Sequence, residues 1–130
     1  MTAPLAKKKS ALHRKVVELI REAFPSFTLF EEKAVRVRLS GRDTTVFVDI
    51  IVKELNLAIE CHGRQHFKFV SHFHGDRQKF ADACERDAAK AESLIDAGYT
   101  FLIVRFDEEK NLTVADLLDR ITKAITEAPK

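Results

Sequence analysis

Asp49 and Glu60 are acids set inside apolar runs, Val46 to Val52 and Leu57 to Cys61. A carboxylate buried among branched aliphatic side chains is costly unless a partner compensates it. A hard divalent cation would do so: Mg2+, with Mn2+ as a substitute, prefers carboxylate oxygen, keeps several waters and bridges to phosphate. The chemistry this suggests is metal-assisted phosphodiester hydrolysis. His62 stands two residues after Glu60, where an imidazole can orient or deprotonate water or steady a phosphate. Gln65 can hydrogen-bond phosphate or a ligand water, and Gly63 lets the backbone turn away from the strand.

These side chains need elements to hold them. Residues 1–9 lack periodicity and carry Lys7, Lys8 and Lys9, which suggests a flexible basic arm ahead of one domain over 10–130. Ser10 is placed to cap a helix whose apolar stripe runs through Leu12, Val16, Leu19, Ile20, Ala23 and Phe24 until Pro25 ends it. Alternation over Phe27–Phe30 and Val35–Leu39, then a turn at Gly41-Arg-Asp43, predicts a strand meander. Lys53-Glu-Leu-Asn56 separates the two apolar runs as a tight hairpin. Phe80, Ala83, Cys84, Asp87, Ala91, Leu94 and Ile95 predict a long helix closed by Gly98. A buried strand from Thr100 to Phe106 follows, and Thr113 caps a last helix.

The hairpin fixes a register. With either a two-residue or a four-residue turn, Val52 faces Leu57, Ile50 faces Ile59 and Val48 faces Cys61 on one apolar face. Asp49 then lies opposite Glu60 on the other face, with Phe47 opposite His62. Directly opposed residues have Cβ atoms about 5 Å apart, and like charges there destabilise the pair. That repulsion is the reason to expect a cation.

The 130-residue chain fits one compact α/β domain with a sizeable core. A formal charge of +2 does not by itself announce a polyanionic partner. Its distribution is more informative. Arg64, Lys68, Arg77 and Lys79, with His72, His74 and several phenylalanines between them, suit phosphate contact beside bases, so DNA is the expected partner. No apolar run is long enough for a membrane span and no signal-peptide core follows the lysines. An intracellular, cytoplasmic protein is expected, of a kind that phages and mobile elements also encode. Cys61 and Cys84 read as reduced thiols inside regular elements.

The stretch Val48-Asp49-Ile50, then Leu55 to Glu60, then Cys61-His-Gly-Arg-Gln-His-Phe67 resembles the active-site hairpin of the PD-(D/E)XK nuclease superfamily, closest to the branch of very-short-patch-repair endonucleases. Glu85-Arg86-Asp87, Lys90, Leu94, Gly98-Tyr99 and Leu102 to Phe106 resemble the helix and strand that follow. The similarity covers about residues 10–107. It implies a restriction-endonuclease-like αβββαβ core, a central mixed sheet flanked by helices, here with an added C-terminal helix. It also implies a Mg2+-dependent endodeoxyribonuclease with Asp49 and Glu60 as metal ligands. The family's usual Pro is Val48 and its usual Lys is His62, and His66, after Gln65, matches its Gly-x-Gln-His ending, which makes His66 the second choice for proton transfer. Glu18 from the first helix, Asp87 and Arg105 are candidate supporting residues, Asp87 pointing inward at the site or at Arg105. A homodimer or a larger nucleoprotein assembly is compatible with so small a chain.

Two other readings compete. A zinc site could draw on Cys61, His62, His66, His72 and His74, although Cys61 and His62 point to opposite faces of a strand and no second knuckle completes the set. A non-catalytic nucleic-acid-binding module on a nuclease-like fold is the other, since the usual Lys is replaced.

Overall fold

The computed structural model describes residues 10–63 and 77–127. Helix α1 (Ala11–Ala23) starts as the sequence suggests, with the Ser10 hydroxyl accepting from the His13 amide at 3.0 Å. Strands β1 (Leu29–Leu39), β2 (Arg42–Val52) and β3 (Leu57–His62) follow, then helix α2 (Arg77–Asp96), strand β4 (Thr100–Arg105) and helix α3 (Val114–Glu127). The sheet order is β1-β2-β3-β4; β1, β2 and β3 are antiparallel in turn, and β4 runs parallel to β3. This is a mixed four-stranded sheet with helices on both faces and a C-terminal helix. Among the described residues, no helix is long and apolar enough to cross a membrane.

One face packs on α1 and α3. Leu12, Val16 and Ile20 meet Leu117 and Ile121 above Ile50, Val52, Leu57, Ile59, Leu102 and Val104. The other face packs on α2, where Leu94 covers Val35, Val37, Val48, Ile51 and Ala58.

The turns are chemically explicit. Ser40 and Gly41 both have positive φ and join β1 to β2 as a two-residue hairpin, one position earlier than the sequence suggests. The β2–β3 connection is a 3-10 turn, Lys53–Leu55, closed by left-handed Asn56, and its register is the expected one: Ile50 pairs Ile59 and Val52 pairs Leu57. Gly98 ends α2 in a Schellman motif, with Tyr99 N–H donating to the Leu94 carbonyl and Gly98 N–H to that of Ile95. A capping box starts α3: Asp116 N–H donates to the Thr113 hydroxyl and Thr113 N–H to the Asp116 carboxylate. Phe106 leaves the strand and opens a 3-10 segment to Asn111.

Two expectations about faces are corrected. Val48 packs toward α2 whereas Ile50 packs toward α1, so they do not share a face. The cause is a switch in both strands of the ribbon: the pairing skips the Glu32 and Asp49 position, Glu32 takes φ 52°, and the pairs on either side keep one register. On α2, Cys84 and Ile95 are exposed. The covered stripe runs instead through Phe80, Ala83, Asp87, Lys90 and Leu94, at spacings of three and four.

Candidate active site

Asp49 sits where β2 switches faces, and Glu60 near the end of β3. Pairing between these strands stops at Ile50 and Ile59. Beyond it the strands fork, and the two carboxylates fill the fork in place of backbone carbonyls. Asp49 N–H donates to Glu60 Oε2 at 2.9 Å, and Cys61 N–H donates to Asp49 Oδ2 at 2.8 Å. Each acid is thus anchored on the strand of the other, which fixes both without a side-chain partner in common.

From the fork the two acids lean apart. Glu60, 6% exposed, turns toward α2, where the Lys90 ammonium donates to its Oε1. Asp49, half-buried, turns toward α1, where a carboxylate oxygen, a ring nitrogen of His13 and the Cys61 sulfur lie within 4.8 Å of one another. His13 is 3% exposed, and its Nε2 bonds Glu31 Oε1 at 3.0 Å.

The acid pair is not fully compensated. Burial first, and then the charge of Asp49, hold the Glu60 carboxyl above the ordinary glutamate range, against the pull of Lys90 and the Asp49 amide. Burial and the two carboxylates likewise push the Cys61 thiol well above its usual value. That leaves it a protonated thiol rather than a nucleophile in the metal-free protein.

Of the residues singled out from sequence, Asp49 and Glu60 meet at the fork, but not on the one face that the register predicted: Glu60 turns toward α2, whereas Asp49 turns with Cys61 toward α1, because β2 switches faces at Asp49. His62 is buried beside Glu60 on the α2 side and pairs Arg105 in the β3–β4 ladder. Arg105 forms an ion pair with Asp107 at 3.3 Å, and Asp87 is half-buried one turn before Lys90. Glu18 is exposed, well round the helix from His13, and does not join the site. Arg77 and Lys79 are exposed at the start of α2. Arg64, Gln65, His66, Lys68, His72, His74 and the basic arm 1–9 lie outside the described residues.

Sequence reasoning missed His13, Glu31 and Lys90. His13 shares helical spacing with Val16, Val17 and Ile20, so a polar residue on the covered stripe was a usable signal. Lys90 sits on the α2 stripe between Asp87 and Leu94 in the same way.

No protein-family model matches the chain. The chain is similar to uncharacterized protein 307L of Invertebrate iridescent virus 6, with 32% identity over 59 residues. That stretch is 45% of this chain and 30% of the viral protein, so the match spans under a third of its relative.

Proposed function

We propose that this chain is a Mg2+-dependent DNA endonuclease of the PD-(D/E)XK type, with Asp49 and Glu60 as the acids that hold the metal. The observation that carries the proposal is the pair of carboxylates fixed in one fork of the sheet. Burial, and then the Asp49 charge that Lys90 leaves uncompensated, keep Glu60 resistant to ionisation. A divalent cation removes that residual repulsion, and the oxygen donors suit a hard ion.

The bound metal would supply Lewis-acid polarisation of the phosphate and a more acidic water. The chain's own residues do the rest. Asp49 and Glu60 set the position of the site. Lys90 brings a positive charge to Glu60, and there it steadies the anionic phosphorane-like charge that builds up on the phosphate. His62, on the same face of β3 as Glu60, is the group for proton transfer.

DNA approaches along the β1–β2 ribbon. Beyond the face switch, Arg36, Arg38, Thr45 and Phe47 line the side of the ribbon that turns away from the α2 core, and they lead to Asp49. Arg36 and Arg38 are exposed, and Phe47 is 62% exposed, a cost that a base or sugar face would offset.

Supercoiled plasmid incubated with the purified protein and Mg2+ or Mn2+ tests the reading. Nicking by the wild type that is abolished in both Asp49→Ala and Glu60→Ala is expected. Equal inactivity of all three with retained DNA binding would instead identify a binding module.

A further inference from the structure

We infer that His13, Asp49 and Cys61 form a second kind of metal site, one for a borderline transition ion such as Zn2+, with solvent as the fourth ligand. The proposal does not rest on the nuclease reading, because the donors are assembled whether or not the chain cuts DNA.

The donors come from three separate elements. His13 is in the first turn of α1, Asp49 at the face switch of β2 and Cys61 near the end of β3, and their ligand atoms lie within 4.8 Å of one another. In a tetrahedral zinc site with bonds of 2.0–2.3 Å, neighbouring donors stand about 3.5 Å apart. Closing the set therefore takes roughly 1 Å of side-chain movement, which rotamer adjustment of three side chains can supply. The nitrogen, oxygen and sulfur set selects against Mg2+ and Ca2+, which take oxygen, and favours zinc-like ions.

Two further observations fit a metal rather than a chance cluster. His13 is backed by Glu31, whose carboxylate bonds the imidazole at 3.0 Å, in the manner by which metal-bound histidines are held in one orientation. Asp49 is likewise held, by the Cys61 amide at 2.8 Å. His13 and Asp49 are thus each held by a bond from another element.

Asp49 belongs to both sites, which gives the site a consequence. An ion drawn to His13 and Cys61 engages Asp49 from the α1 side and competes with a Mg2+ shared with Glu60.

Titration of the metal-free protein with Co2+, without DNA, tests this directly. A thiolate-to-metal charge-transfer band in the near ultraviolet, saturating at one equivalent and displaced by Zn2+, is expected. Cys84→Ser, altered only at an exposed thiol, should keep the band, and Cys61→Ser should lose it. His13→Gln and Glu31→Gln should each weaken binding, by about 10- to 100-fold for the backing carboxylate. No band in the wild type, or a band lost in Cys84→Ser, overturns the site even if Cys61→Ser fails to fold. Plasmid nicking with Mg2+ is a separate readout, so failure of one reading is distinguishable from failure of the other.

Discussion

At the scale of single residues, the decisive contact is the one between Lys90 and Glu60. An ammonium placed on a buried carboxylate compensates charge that would otherwise be left in a poorly solvated fork. Lys90→Ala is expected to lower the single-turnover cleavage rate by about 100-fold or more while changing DNA affinity little, as for loss of a positioned charge at a reacting group. Rapid-quench kinetics beside a binding titration would check the split. Glu60 also makes stability depend on pH. Its folded pKa lies above its unfolded value, so its favourable contribution is whole at low pH. That contribution is lost as pH rises out of the ordinary glutamate range and through the folded value. Melting curves of metal-free protein should show Glu60→Gln gaining on the wild type as pH rises to neutrality, and Mg2+ should stabilise the wild type but not this variant.

At the scale of elements, the caps and the β2–β3 register were legible because their chemistry is local. Ser10, Thr113 and Gly98 each satisfy helix-end groups with atoms a few residues away, and the four-residue connection admits one pairing. The face switch was not legible. It needs a left-handed conformation at Glu32, a residue with no special liking for it, and that conformation is imposed by packing on two different cores. Cys84 and Ile95 were misplaced for a related reason: the α2 stripe carries Asp87 and Lys90, so a reading that follows apolar residues drifts to the wrong side of the helix. The ribbon beyond the switch carries the DNA contacts of the proposed function. Arg36→Glu with Arg38→Glu should weaken binding by at least tenfold at low salt and flatten the dependence of log affinity on log salt by about 2, one unit for each lost phosphate contact. Fluorescence anisotropy across a salt series reads both.

For the whole molecule, the order of the helices and strands among the described residues was legible, since each change of hydrophobic period marks a change of element. What joins them was less so: among the described residues, two cores lie on opposite faces of one sheet and share its strands. Ser93 and Leu94 are the buried residues of helix α2 among those described, and Leu94 is the one that enters the core on its side. Leu94→Ala should cost about 2–5 kcal/mol in a denaturant titration. Because Lys90 lies one turn away on the same stripe, metal-dependent activity should fall below the loss expected from the unfolded fraction alone.

The simultaneous inversion of β1 and β2 at Glu32 and Asp49 carries a constraint on how such a chain can change its length. Dropping one residue from either strand at that rung would restore its plain alternation and leave Val35, Val37, Val46 and Val48 on the side they now share, with the extra residue of the neighbouring strand standing out as a single-residue bulge. Loss of a residue there is therefore better absorbed than loss of one elsewhere in the ribbon, where a one-residue slip carries the aliphatic side of the tip to the opposite face.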